Sequence, residues 1–203
     1  GRAVSLAWEI GADACAGGII DAVLPDAGDA ANLLHQAWRK SLNAPRSSAV
    51  GRLFDAAAAF TGVCLDASFE GQGPMWLETL ATLDVQPLVL DLQASDDGIL
   101  RTDWQALAQA MMDNSRTVAE RASLFHVSMA EALLQQALAV RASHGVERVG
   151  LCGGVFQNRR LTHDCVARLQ AHGFAVQLGE RLPVNDAGIS FGQVIEFAFP
   201  GNV

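Results

Sequence analysis

The spacing of hydrophobic and polar positions changes along the chain, and the changes divide it into elements. In "DAANLLHQAWRKSL" Leu33, Leu34, Ala37, Trp38 and Leu42 recur at helical intervals, which predicts a helix between an Asp29 cap and Pro45. "SSAVGRLFDAAAAFTG" predicts a second helix, with Ser47 or Ser48 as its cap, Val50, Phe54, Ala57 and Ala58 on its apolar face, and Gly62 as its stop. "AVSLAWEI" fits a strand or the end of a helix, so residues 1–45 form an ambiguous, mainly helical segment. "QPLVLDL" predicts a strand, "DDGIL" a turn into another short strand, and "DWQALAQAMMD" a helix. The longest helix is predicted from Thr117 to Ala142. Val118, Ala122, Phe125, Met129, Leu133 and Ala137 form its apolar stripe, and Gly145 ends it.

The last third alternates. "RVGLC" is a short buried strand, a helix follows from Gln157 to His172, Gly173 stops it, and "FAVQLG" is a second strand. After Pro183, "NDAGISFGQVIEFAF" closes as a helix. Strand and helix in alternation, with short connections, imply an α/β fold with parallel strands and right-handed crossovers.

Composition narrows the function classes. Half of the 203 residues are hydrophobic and 18% are charged, enough apolar surface for a core. The net charge of -8 argues against binding along a nucleic-acid backbone, which needs clustered Lys and Arg. A single nucleotide held by a few backbone amides stays possible. No apolar run approaches the ~20 residues of a membrane helix. Cys15, Cys64, Cys152 and Cys165 form no CxxC pair and lie among Ala and Leu, which reads as reduced, buried thiols in a cytoplasmic protein. GxSxG, Walker A, GxGxxG and HExxH motifs do not occur, and His126 reads as a hydrogen-bonded core or boundary residue of the long helix.

Four stretches carry candidate chemistry, each with two readings. "LCGGVFQN" places Gly153 and Gly154 between a strand and a helix, with Asn158 in the first turn. It is an anion cradle of backbone amides or a turn needing glycine for its φ angle. Asp55 in "GRLFDAAAAF", one turn beyond Gly51, accepts hydrogen bonds from ribose hydroxyls or is a helix acid paired with Arg52 or solvated. "FEGQGPMWLE", with Glu70, Gly71, Gln72 and Gly73, is a loop shaped around a ligand or a Gly/Pro turn. In "LPVNDAGIS", Asn185 or Asp186 is a helix cap, or Asp186 holds a hard cation.

In this order, "GRLFDAAAAFTGV", "FEGQGPMWLE", "LCGGVFQNRRL" and "PVNDAGISFGQ" resemble the C-terminal region of the hydrogenase-maturation carbamoyltransferases, the HypF family, over roughly residues 46 to 196. The resemblance implies an actin/sugar-kinase/Hsp70-like lobe with a mixed central sheet flanked by helices, occupying residues 46–203. It implies that Gly153, Gly154 and Asn158 contact phosphate, that Gly51 and Asp55 lie beside the ribose, and that Glu70 and Gly71 lie near the nucleoside. It makes Asp186 a ligand of one divalent ion (Mg, Fe or Zn). The family pattern has a serine before the double glycine and "NDGG" in the last motif; Cys152 and Ala187 stand there, both small enough to keep the geometry. The first fifty residues fit the family poorly, and the family's His-rich metal segment and upstream domains are absent, so the chain is expected to be one lobe of a larger enzyme.

The implied activity is ATP-dependent carbamoyl transfer from carbamoyl phosphate, through carbamoyl adenylate, to the C-terminal cysteine of a HypE-type partner. A carbamoyl phosphate hydrolase and a non-catalytic lobe that binds nucleotide or partner are the rival readings.

Overall fold

The computed structural model describes residues 2–25 and 28–199. The outer ends of the two expected segments, at residues 1 and 200–203, lie outside them. The chain divides into two compact units, Gly1–Ser128 and Met129–Val203.

Unit 1 is mainly helical. It contains α1 (Arg2–Glu9), α2 (Asp13–Val23), α3 (Ala30–Arg39), α4 (Gly51–Phe60), α5 (Gln72–Leu80), β1 (Leu92–Ala94), β2 (Leu100–Thr102), α6 (Gln105–Met112) and the first part of α7 (Val118–His144). The open choice for "AVSLAWEI" thus resolves to helix. Phe54, Ala56, Ala57, Ala58 and Phe60 of α4 are buried, and the small alanines let its neighbours come close. Phe54 is the centre of this core, meeting Phe125 edge-on with ring centroids 4.8 Å apart and His126 at 5.5 Å. His126 is fully buried, and its Nδ1–H donates to the Ala122 carbonyl over 2.8 Å, so it is a core residue. Buried Arg121 donates to the Met111 carbonyl at the end of α6. Thr117 and Glu120 cap α7 reciprocally, which holds the Glu120 carboxyl below its ordinary pKa through the Thr117 N–H and hydroxyl.

Several boundaries differ from the sequence pattern. The helix α3 ends at Arg39, ahead of Leu42 and Pro45, and Asp29 makes no side-chain cap. The cap position of α4 is Val50; Ser47 instead accepts the Ala49 N–H. Most of "QPLVLDL" is not a strand, and β1 starts only at Leu92. A serine of α7 takes part of the ladder's place: within this stretch the Leu88 N–H donates to Ser128 Oγ over 2.9 Å, and just before it the Leu83 N–H donates to Ser123 Oγ over 3.0 Å. The predicted one-sided stripe is not kept here, because residues 121–132 of α7 are all buried. The turn before the second short strand is as expected, with β1 and β2 antiparallel and Leu92 opposite Thr102.

Unit 2 comprises the rest of α7, β3 (Arg148–Leu151), a 3₁₀ turn (Gly154–Gln157), α8 (Arg159–Ala171), β4 (Ala175–Leu178), a second 3₁₀ turn (Asp186–Gly188) and α9 (Ile189–Ala198). The parallel pairing expected here is present, with Arg148 opposite Ala175 through to Leu151 opposite Leu178. Both strand orientations therefore occur, in two separate two-stranded sheets. Only Leu151 of β3 is buried, so the strand is more exposed than its sequence suggests. Leu161, Cys165 and Leu169 form the inner face of α8. Arg168 binds Glu131 of α7 at 2.6 Å, and Arg141 lies 4.2 Å over the Phe174 ring. Of the four thiols only Cys165 is buried; burial pushes its pKa up to about 12, while Cys152 is exposed.

Candidate functional site

Two of the four motifs meet in unit 2. After β3 the chain turns at Gly153, whose φ of 110° and ψ of 154° favour glycine. The Gly153 N–H donates to the Val184 carbonyl over 2.6 Å. That bond ties "LCGGVFQN" to "LPVNDAGIS", and a Cβ placed on Gly154 would stand 3.9 Å from the Cβ of Asn185. The two stretches are adjacent in space although α8 and β4 separate them in sequence.

This geometry redistributes the roles of the two glycines. The Gly153 amide is taken up by the Val184 carbonyl. Gly154 opens the 3₁₀ turn with Val155 behind it, and the first N–H groups of a helical turn have no acceptor within that turn. An anion at this turn would therefore meet the amides of Gly154 and Val155. Sequence reading missed Val155, because an amide carries no side-chain signal, and missed Val184, which acts only through its carbonyl.

Asn158 is buried at the start of α8, where its Oδ1 accepts the Leu161 N–H over 2.8 Å. The side chain serves the helix as an N-cap, so its oxygen is engaged. Asn185 does the same for the second 3₁₀ turn, accepting the Ala187 N–H over 3.2 Å. The cap in "NDAG" is thus Asn185, and the neighbouring Asp186 carboxylate is exposed. Gly188 is required by packing, since a Cβ there would fall 2.8 Å from the Pro183 carbonyl oxygen. Among the described residues no three His, Cys, Asp or Glu side chains lie together in a way that could hold a metal ion. The described residues by themselves therefore group no ligand set around Asp186.

The other four candidates lie in unit 1. Gly51 is the first residue of α4, and Asp55 is half-buried one turn later. Glu70 is exposed in the loop before α5, and Gly71 takes a left-handed φ of 84° at the helix cap position. Gln72 is turned inward, its Oε1 accepting the Ser68 N–H and hydroxyl at 2.7 and 3.0 Å, which fixes the shape of this loop. Gly73 lets α5 lie against α4: an added Cβ would be 3.0 Å from that of Ala58. The motifs of unit 1 are thus brought to one helix pair, as those of unit 2 are brought to one turn pair.

Comparison with known proteins places this arrangement. Residues 2–193 match the family described as carbamoyltransferase, Kae1-like domain, second subdomain. That match takes in the first fifty residues, which corrects the expectation that they fit the family poorly. The chain is 37% identical over 164 residues to a carbamoyltransferase HypF homolog of Cupriavidus necator, covering 76% of this chain and 41% of that one. It is 38% identical over 166 residues to the carbamoyltransferase HypF of Rhodobacter capsulatus, covering 81% of this chain and 21% of that one. It spans less than half the length of either relative. The crystal structure of full-length HypF in the phosphate- and nucleotide-bound form superposes with a TM-score of 0.83 at 25% identity, covering 98% of this chain and 26% of that chain. The crystal structure of T. kodakarensis HypF shares the fold, with a TM-score of 0.69 at 24% identity, covering 88% of this chain and 24% of that chain.

Proposed function

Since this chain belongs to the HypF carbamoyltransferase family, we propose that it supplies the phosphate-binding turn of an enzyme that transfers a carbamoyl group through an adenylate. The observation that carries the reading is Gly154: it stands at the open start of a 3₁₀ turn, and a Cβ there would meet nothing closer than 3.9 Å. The fold leaves room for a side chain at that point, and the same room admits a group approaching from outside. Phosphate fits, because the amides of Gly154 and Val155 are donors fixed in place before it arrives. The similar HypF crystallised with phosphate and nucleotide supports the choice of ligand.

The chemistry assigned to the assembled enzyme is carbamoyl transfer from carbamoyl phosphate, with ATP, by way of carbamoyl adenylate. In the last step a thiolate sulfur, from the C-terminal cysteine of a HypE-type partner, attacks the carbonyl carbon. A C–S bond forms, the C–O bond to the adenylate phosphate breaks, and AMP leaves with the electron pair. The part of this chain is to hold the phosphate and take up charge as the leaving group separates. Asp186 is proposed as one ligand of a divalent ion whose other ligands lie outside this chain. The ribose and nucleoside roles of Gly51, Asp55, Glu70 and Gly71 are proposed from the family alone.

The test is product analysis on a preparation containing both subdomains. AMP release that needs the partner's C-terminal cysteine, with the carbamoyl group found on that cysteine by mass spectrometry, is the expected result. Phosphate release without AMP and without partner would replace transfer by hydrolysis of carbamoyl phosphate. Nucleotide binding with no turnover would leave a binding lobe.

A further inference from the structure

Threonine in a helix normally turns its hydroxyl back onto a carbonyl three or four residues earlier in the same helix. Thr61, at the C-terminal end of α4, does so, donating to the Ala57 carbonyl over 2.7 Å. Thr162, in the first turn of α8, does not. Its hydroxyl reaches six residues back and out of the helix, donating to the Phe156 carbonyl over 2.8 Å. The carbonyl four residues earlier, that of Asn158, accepts the Thr162 N–H over 3.1 Å. Phe156 belongs to the 3₁₀ turn Gly154–Gln157, so the hydroxyl ties that turn to α8. The turn is then held on both sides. Just before it the Gly153 N–H is bound to the Val184 carbonyl, and near its close Phe156 is bound to Thr162.

The tie reaches the candidate amides. The Phe156 N–H donates to the Gly153 carbonyl over 3.1 Å. That carbonyl shares one planar trans peptide with the Gly154 N–H, and in such a peptide the two groups point in opposite directions. Holding the Gly153 carbonyl toward Phe156 therefore aims the Gly154 N–H away from the turn. The Asn158 N–H closes the same turn on the Val155 carbonyl, also over 3.1 Å. A chain of bonds thus runs from the Thr162 hydroxyl through Phe156 and Gly153 to the direction of the Gly154 amide. Amides serve an anion best when they are fixed before it arrives.

We infer that Thr162 is a positioning residue for the phosphate turn: its hydroxyl holds Phe156 so that the Gly154 and Val155 amides are fixed in place for the ligand. The inference rests on the reading of those amides as phosphate donors. Thr162 is half-buried and its hydroxyl proton is committed to Phe156, so it acts on the ligand through the turn.

The test compares wild type, Thr162→Val, Thr162→Ser and Gly154→Val in the protein containing both subdomains. ATP affinity, melting temperature and hydrogen exchange of the Phe156 and Asn158 amides are measured on each. Thr162→Val keeps the branched shape and loses the donor. It should weaken ATP binding about five-fold or more, roughly the loss of one well-placed hydrogen bond. Its melting temperature should stay near that of wild type, while the two amides exchange faster. Thr162→Ser restores the hydroxyl and should bring the affinity back to within about two-fold of wild type. If valine packs badly and lowers the melting temperature, Thr162→Ala against Thr162→Ser isolates the hydroxyl in the same way. Thr162→Val binding ATP as tightly as wild type, with Gly154→Val binding weakly, would overturn the positioning role and leave the phosphate reading standing. A Thr162→Ser protein as weak as Thr162→Val would show that the methyl matters and not the hydroxyl, and would also overturn it. Normal binding by a folded Gly154→Val protein would remove the phosphate turn itself, and this inference with it.

Discussion

The α4–α5 pair of unit 1 and the turn after β3 in unit 2 are both rich in glycine, and glycine serves different ends in them. In unit 1 the fold accounts for it: Gly71 has a φ of 84°, and Gly73 leaves only 3.0 Å between an added Cβ and Ala58. In unit 2 the fold accounts for Gly153, with its φ of 110°, and not for Gly154, where a Cβ would make one ordinary contact with Asn185. Glycine content alone therefore does not separate a tight turn from a ligand cradle. What a Cβ would meet at each position does.

The comparison can be broken where the fold makes the strongest demand. Gly153→Ala forces a side chain into a region of φ and ψ that is nearly closed to L-residues, and it should cost about 1–3 kcal/mol. Thermal or urea unfolding of the variant measures this; an unchanged midpoint would mean the turn adopts another conformation in solution. Gly73→Ala sharpens the contrast from the other unit. The new methyl must push α5 away from Ala58, at about 1 kcal/mol, with the loss read in the same unfolding experiment. A smaller division lies within one dipeptide. Asn185→Ala should remove a cap worth ~1 kcal/mol, while the exposed Asp186→Ala should leave the midpoint where it is. In the two-subdomain protein Asp186→Ala should instead lose bound metal, measured by elemental analysis; full metal content would leave it a surface acid.

The elements most legible in the sequence are those fixed by local chemistry. The long helix α7 starts at a Thr117–Glu120 capping box and stops at Gly145, with a φ of 67°, and α8 stops at Gly173, with a φ of 81°. Periodicity and glycine stops are visible in a single segment. "QPLVLDL" was not legible as a non-strand because its Leu88 N–H is satisfied by Ser128, 40 residues away in the chain, as the Leu83 N–H just before it is by Ser123. The buried polar face of α7 was hidden for the same reason. In the candidate site, both glycines and Asn185–Asp186 stood out by residue type. Their meeting did not, because it depends on the Val184 carbonyl, which any residue could supply. Asn158 shows the limit of motif reading: the residue is well marked, and its oxygen is occupied by the Leu161 amide. The apolar character of α9 was plain in the sequence, but its exposure was not.

The account turns on whether Gly154 is kept open for a ligand, and Gly154→Val measured for melting temperature and nucleotide affinity on one two-subdomain preparation tests it. The predicted result is a melting temperature within a few degrees of wild type and nucleotide affinity reduced by ten-fold or more, because the side chain occupies the place of the phosphate. A folded Gly154→Val protein that binds nucleotide as tightly as wild type would show that both glycines serve only the turn, and the phosphate assignment would fall.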